Sequence, residues 1–288
     1  MNGNLKLAMQ KKGRLTEKSL ALLKTCGIDI ENYSERLVIT ARNFELDVLF
    51  LRDDDIPEYV QDGVADIGIV GENVLIEKKA NTEIVRKLGF GKCKLMIAIP
   101  EKEEIKEIKE LDGKRIATSY PVILDKFLHE NKITAKIIDI SGSVEIAPTL
   151  GISDYICDLV STGNTLKMNK LKKSFTVFES EAVLISNKNL EPKSIRYKAL
   201  QSLLQRIDSA LNARNSKYIM MNIPKSALDT IRNIVPALKS PTILPLADEN
   251  MLALHAVIPS DKFWEINDDL KKAGASGILI IPIENMIL

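Results

Sequence analysis

Three groups of polar residues interrupt apolar runs in this sequence, and each has the composition to act on an anionic substrate. The most informative lies between Glu145 and Leu171, where an apolar run ends at Asp158 and is followed by Ser161, Thr162, Gly163, Asn164 and Thr165. Small hydroxyl residues around a glycine let successive backbone N–H groups converge on a phosphate, with the hydroxyls adding donors. An acid just upstream can accept from vicinal ribose hydroxyls. An ordinary strand–turn–helix with Thr165 as its N-cap has the same composition, so both readings stand on composition alone.

A second group lies in the first half. Lys11, Lys12, Gly13 and Arg14 follow one apolar run and Arg52-Asp53-Asp54-Asp55 another, while Asp66 and Gly71-Glu72-Asn73 follow the next. In an open α/β sheet, ligands sit outside the carboxyl ends of the strands. If these runs are strands, the loops gather on one edge. Two arginines and a lysine there suit a polyphosphate, since guanidinium meets phosphate oxygens in a planar fork; each loop taken alone reads as solvated surface. Lys114 to Pro121 closes a further run, and its Tyr120 can stack on a planar base or fill a core. No P-loop, dinucleotide-binding glycine fingerprint or paired-histidine zinc motif occurs. Cys26, Cys93 and Cys157 show no CxxC spacing, and only His129 and His255 are present. Neither a disulfide framework, a zinc site nor a Ser-His-Asp triad is suggested, and both histidines read as structural.

The elements that would position these loops alternate. Strand signals at 5–9, 46–51 and 65–71 are separated by helices, one starting from Thr16 as N-cap and stopping at Gly27, one opening at Ile56-Pro57. This spacing predicts an α/β fold with a largely parallel sheet. A second series has strands at 93–100, 114–119, 137–140 and 155–160, a helix over 121–131, one strand over 175–185 and an amphipathic helix over 197–214. After a boundary at 214–216 the order becomes βαββαβ, the ferredoxin-like plan.

The 288 residues suggest two or three domains, and 45% apolar with 27% charged residues supply a sizeable core. Lys plus Arg total 40 against 39 for Asp plus Glu, a net charge of +1. That balance argues against a dedicated nucleic-acid binder or a polybasic membrane-surface protein. The longest apolar runs, 95–99 and 277–281, fall far short of the ~20 residues a membrane helix needs. Residues 1–14 carry no apolar signal-peptide core, so a cytoplasmic chain is expected.

The run Glu145, Gly151, Ser153, Ile156, Asp158, Thr162-Gly163, Thr165-Leu166, Asn169-Lys170-Leu171 resembles the signature of the ATP phosphoribosyltransferase family. The likeness extends through MQKKGRL, RDDDIP, GVADIGIVGENVL, GKRIATSYP, GSVEIAP, SKYIMMN and SPTILPL. The βαββαβ segment makes the chain resemble the family's long form. The resemblance implies a pentosyltransferase of histidine biosynthesis: N1 of the adenine of ATP attacks C1 of phosphoribosyl pyrophosphate, and diphosphate leaves with inversion. It also implies a two-lobed core like a type II periplasmic binding protein. Residues 1–93 with 179–215 would form one lobe and 94–178 the other, with the chain crossing near 91–94 and 179–181. Residues 216–288 would be an ACT-like regulatory domain.

Carried onto matching positions, the resemblance implies that Asp158 holds the ribose hydroxyls. Ser161, Thr162, Gly163, Asn164, Thr165 and Leu166 would wrap the 5′-phosphate. Arg52 would stabilise the leaving diphosphate, making Arg52 and Asp158 the catalytic pair. Gly13, Arg14, Asp66, Glu72 and Tyr120 would line the ATP region. Asn222, Thr242, Val257 and Gly277 would bind histidine as inhibitor, Asn222 standing where some relatives carry Asp. Mg²⁺ is implied, held mainly by the pyrophosphate with no protein ligand assigned, as is a homo-oligomer from dimer to hexamer. A solute-binding or effector-sensing module on the same fold is the alternative. It would need an export signal or a helix-turn-helix, and it does not account for the phosphate loop behind Asp158.

Overall fold

Strands buried on both faces need near-continuous apolar sequence, and Leu5–Gln10 and Ile67–Gly71 meet that need with almost every side chain buried. In the computed structural model these two strands pair in parallel at the centre of a six-stranded sheet. The structure describes residues 3–30, 36–160 and 163–288. The chain divides into two units, Met1–Leu20 with Asp29–Ala199, and Ala21–Ile28 with Leu200–Leu288.

In the first unit, one stretch comprises β1 (Leu5–Gln10), α1 (Arg14–Thr25), β2 (Val38–Thr40), β3 (Leu46–Leu51), α2 (Ile56–Gln61), β4 (Ile67–Gly71), α3 (Glu72–Lys78) and β5 (Glu83–Lys87). A second comprises β6 (Cys93–Pro100), β7 (Arg115–Thr118), α4 (Pro121–Glu130), β8 (Lys136–Asp139), β9 (Tyr155–Val160), α5 (Asn164–Met168) and β10 (Leu171–Ser180). Then β11 (Ala182–Ser186) returns to the first sheet and α6 (Ile195–Arg214) follows, entering the second unit at Leu200. The sheet orders are β2-β3-β1-β4-β11-β5 and β10-β6-β9-β7-β8. The first has a parallel centre, β3-β1-β4, with antiparallel strands on both sides; the second has a parallel trio, β9-β7-β8, at one edge and antiparallel β6 and β10 at the other. The expected largely parallel sheet is therefore two mixed sheets. The expected single strand over 175–185 is two strands, since the chain changes sheets at Glu181.

In the second unit, β12 (Ser216–Pro224), α7 (Leu228–Ile234), β13 (Thr242–Pro245), β14 (Met251–Pro259), α8 (Phe263–Lys272) and β15 (Ser276–Pro282) form an antiparallel sheet of order β13-β14-β12-β15. This is the expected βαββαβ plan. Ile219, Met221, Ile223, Leu254, Ala256 and Ile258 pack in one core with Ile231, Phe263 and Leu270 from the helices. The alternation of a strand sends Tyr218, Met220 and Asn222 to the other face. No helix among the described residues is long and apolar enough to cross a membrane.

One glycine sets how closely α2 lies on the first sheet. A Cβ on Gly68 would stand 2.7 Å from Ile56 Cγ2 and 2.9 Å from Val60 Cγ2. Gly68→Ala must push α2 away from β4, and we expect a loss of about 1–3 kcal/mol, the scale of overpacking a filled core. Urea denaturation with an unchanged m-value checks this; wild-type stability would mean that the helix yields freely.

Candidate active site

Two crossings join the lobes of the first unit, and they are bonded to each other. Ala182 N–H donates to the Phe90 carbonyl at 2.8 Å, Leu88 N–H to the Ala182 carbonyl at 2.9 Å, and Glu72 N–H to the Glu181 carbonyl at 2.9 Å. The loops that follow β3 and β4 face those that follow β7 and β9 around Tyr120. Glu77 of α3 accepts from Val122 N–H at 2.9 Å and Ile123 N–H at 3.1 Å in the first turn of α4. A carboxylate there satisfies orphan helix donors and complements the helix dipole.

Tyr120 stands at the same junction. Burial, together with the carboxylates of Asp158 in its own lobe and Asp53 and Asp54 in the other, pushes its phenol pKa far up, and the Asn73 side chain hydrogen-bonds to it. Tyr120 is thus a neutral, half-buried residue that packs against the core of its own lobe while its hydroxyl lies within reach of Asn73 and these carboxylates. Asn73 is buried, its backbone N–H donating to Ser180 Oγ at 3.1 Å and its Oδ1 accepting from that hydroxyl at 2.8 Å. Ser180 also hydrogen-bonds the Cys93 thiol. A polar chain therefore runs from both crossings to Tyr120.

Asp158 lies near the carboxyl end of β9, where its carboxylate accepts from Leu159 N–H at 2.7 Å. Burial, and secondarily the nearby Glu145 carboxylate, raise its pKa above the usual range, opposed by the Leu159 bond. The strand is anchored at its other end by Arg115. Its backbone N–H and its Nη2 each donate to Asp154 at 2.8 Å, and its Nη1 donates to the carbonyls of Gly151 and Ile152. Sequence reading passed over Arg115 because its partners lie 36 to 39 positions away.

Of the phosphate-loop candidates, Ser161 and Thr162 lie outside the described residues. Gly163 precedes α5 at φ +83°, a left-handed conformation that favours glycine, so Gly163 rather than Thr165 occupies the N-cap. Asn164 and Thr165 are exposed. Leu166 is 5% exposed and packs with Ala98, Val160 and Leu171. Its side chain is core, which leaves only its backbone for a ligand.

In the first lobe, Thr16 is inside α1 and its Oγ1 donates to the Gln10 carbonyl at 2.8 Å. It pins the Lys11–Gly13 loop instead of capping the helix. Gly13 takes φ +130°. Arg14 and Arg52 are exposed and have no polar side-chain partner among the described residues. Arg52 leads a 3-10 turn over Asp53–Asp55. Glu72 opens α3 at the carboxyl end of β4 and pairs with Lys87 at 3.1 Å. Asp66 is a correction. It precedes β4, at the amino edge of the sheet, where it accepts from Lys6 N–H at 2.8 Å and pairs with Arg196 at 3.2 Å. Its burial is structural, and the strand's length separates it from the cleft.

The four effector candidates lie in the second unit's sheet. Gly277 and Asn222 are neighbours, a Cβ on Gly277 falling 3.6 Å from Asn222 Nδ2. Thr242 pairs opposite His255 and Val257 opposite Tyr218. Tyr218 Oη and His255 Nδ1 are 2.8 Å apart with their rings edge to face, a pairing that periodicity could not reveal. Among the described residues, no group of three or more His, Cys, Asp or Glu is gathered as a metal cage.

Two sheets joined by a double crossing define a two-lobed α/β protein of the periplasmic-binding type. A periplasmic sulfonate-binding protein from Methylobacillus flagellatus shares this fold at TM-score 0.50 and 16% identity, over 70% of this chain and 66% of that one. The ATP phosphoribosyl transferase (HisG:HisZ) complex from Thermotoga maritima matches at TM-score 0.58 and 32% identity, over 71% of this chain and 98% of that one. ATP phosphoribosyltransferases of Cytophaga hutchinsonii and Bacteroides thetaiotaomicron are 51% and 47% identical, covering 100% and 99% of this chain and 100% of each relative. The ATP phosphoribosyltransferase profile matches residues 52–209 and that of the HisG C-terminal domain residues 213–285.

The chain belongs to the ATP phosphoribosyltransferase family, in its long form. It is a pentosyltransferase of histidine biosynthesis, a family that works on ATP and phosphoribosyl pyrophosphate with a divalent metal.

The raised pKa of Asp158 carries a sign. The folded chain holds this proton more tightly than the unfolded chain, whose value is near ~3.9, so stability falls as pH rises through the interval between the two. At neutral pH the ionised carboxylate works against folding. Asp158→Asn should raise Tm at pH 7 and lose the effect as pH drops below that interval. Calorimetry showing a lowered Tm would make Asp158 a structural residue.

Proposed function

We propose that phosphoribosyl pyrophosphate lies in the cleft with its ribose hydroxyls on Asp158 and its 5′-phosphate in the turn from Ser161 to Leu166. ATP approaches from the side of Gly13, Arg14, Glu72 and Tyr120, and Arg52 meets the departing diphosphate. The observation that carries this reading is the company of Tyr120: Asp158 from one lobe, Asp53 and Asp54 from the other. Tyr120 thereby links the strand that would present the ribose acid with the turn that Arg52 leads, which supports the reading.

N1 of adenine is a neutral nucleophile and needs no base. Positioning the two substrates in line removes most of the entropic barrier. As C1 gains oxocarbenium character, the Asp158 carboxylate on the adjacent hydroxyls becomes more favourable, and Arg52 gains as charge builds on the leaving oxygens. A bound divalent cation would supply neutralisation of the diphosphate charge. Such ions take one or two carboxylates plus substrate phosphates, and Asp53 and Asp54 beside Arg52 suit that part. The chain assayed with ATP, phosphoribosyl pyrophosphate and Mg²⁺ should form the phosphoribosyl-ATP chromophore, followed by near-ultraviolet absorbance; no absorbance change would overturn the reading. Arg52→Ala should lower kcat by roughly 10²–10³, the scale for one charge-stabilising donor. A raised KM at normal kcat would reduce Arg52 to a binding role.

Residues 1–93 with 179–215 and residues 94–178 serve as the two catalytic lobes, and 216–288 as the regulatory domain of a homo-oligomer, dimer to hexamer. Histidine bound near Asn222, Thr242, Val257 and Gly277 inhibits by favouring one of two states through differential affinity. Thr242→Val keeps shape and removes a hydroxyl, so turnover should persist while half-inhibition needs roughly five- to tenfold more histidine. Histidine competing directly with ATP would overturn this regulatory role.

A further inference from the structure

The hinge end of the cleft holds a cation that the mechanism above leaves unused. A cavity of about 590 Å³ there is lined by Lys87, Lys92, Lys94 and Lys173 and by Val160, the last residue before the phosphate turn. Two of these lysines are committed: Lys87 pairs with Glu72 and lies near Glu181, and Lys94 pairs with Glu179. The Lys173 side chain has no hydrogen bond or ion pair among the described residues.

Its placement comes from β10. The pairing of β10 with β6 runs in register to Lys173, opposite Ala98, then slips before resuming at Thr176, opposite Met96. Such a slip re-aims the side chains around it. Lys173 crosses over Gly163: a Cβ there would stand 2.7 Å from Lys173 Cε and 3.1 Å from its Nζ. Position 163 thus excludes a side chain twice, through its left-handed backbone and through the lysine stem that fills the space.

We propose that Lys173 is a phosphoribosyl pyrophosphate-binding residue, its ammonium joining the backbone N–H groups of the Gly163 turn on the 5′-phosphate. This rests on the assignment of the 5′-phosphate to that turn. A phosphate monoester carries nearly two negative charges, and backbone N–H groups answer with partial charges only. A flexible stem bearing a point charge supplies the remainder. Lys87 and Lys94 are held by carboxylates and Lys92 acts on Glu179; Lys173, lying over Gly163, meets the phosphate without first breaking an ion pair.

Inhibition constants for ribose 5-phosphate and for inorganic diphosphate, each measured against phosphoribosyl pyrophosphate, test this on the full-length enzyme. Lys173→Gln should weaken ribose 5-phosphate roughly tenfold, as for loss of one charge-assisted contact. Diphosphate should be unchanged, Lys173→Arg should recover most of the loss, and the difference should shrink with salt. An unchanged constant for ribose 5-phosphate, or an equal loss for diphosphate, overturns the proposal. Gly163→Val separates the two layers of the argument. If calorimetry shows that this variant, folded by circular dichroism, binds phosphoribosyl pyrophosphate normally, the 5′-phosphate assignment itself is wrong. If it loses binding while Lys173→Gln does not, only the role of Lys173 falls.

Discussion

The cleft depends on one residue's two backbone bonds. Ala182 donates to Phe90 and accepts from Leu88, so the outgoing and returning crossings are tied side by side. With both crossings at the carboxyl edge of the six-stranded sheet, the loops after β3 and β4 face those after β7 and β9 around Tyr120. Glu77 extends the same constraint by gripping the first turn of α4 from the opposite lobe. Tyr120, at that turn, is therefore fixed relative to Asp53 and Asp54 as well as to Asp158.

The site's electrostatics run against stability. Asp158 is driven toward protonation by burial and by Glu145, and Tyr120 is ringed by carboxylates. Arg14 and Arg52 are exposed and have no side-chain partner among the described residues; on the proposed reading they meet the polyanionic substrates. Such frustration is expected where function sets the sequence. Arg115, which locks the start of β9 through Asp154 and two carbonyls, holds the strand that presents the unfavourable carboxylate.

Much of this was legible in sequence because its signals are local. β3, β6 and β9 were read to the residue from apolar runs, and the βαββαβ order from alternation with turn residues. What escaped is non-local. Glu83–Lys87 is a largely exposed, charged strand at the sheet edge, so no apolar pattern announces β5. α3 starts directly at the end of β4 with no side-chain cap, and its first residues read as loop. The apolar run over 175–185 continues across a change of sheet, which period alone cannot register. Asp66 looked like a loop acid because its partner, Arg196, lies 130 positions away. In the site, Asp158 and Gly163 were visible as types in order, whereas Lys173, Asn73 and Ser180 acquire meaning only from neighbours brought in by the fold.

The place of β11 bears on how the chain is made. It sits between β4 and β5 in the six-stranded sheet, yet it leaves the ribosome only after the whole of β6 to β10. The first lobe emerges without an inner strand, its β4 and β5 holding open a gap of unpaired backbone. The second lobe, contiguous from Cys93 to Ser180, has all its strands before that gap is filled. Domains generally form in the order of synthesis. In this chain the amino-terminal lobe is completed second, with a finished lobe already tethered to its unfinished edge.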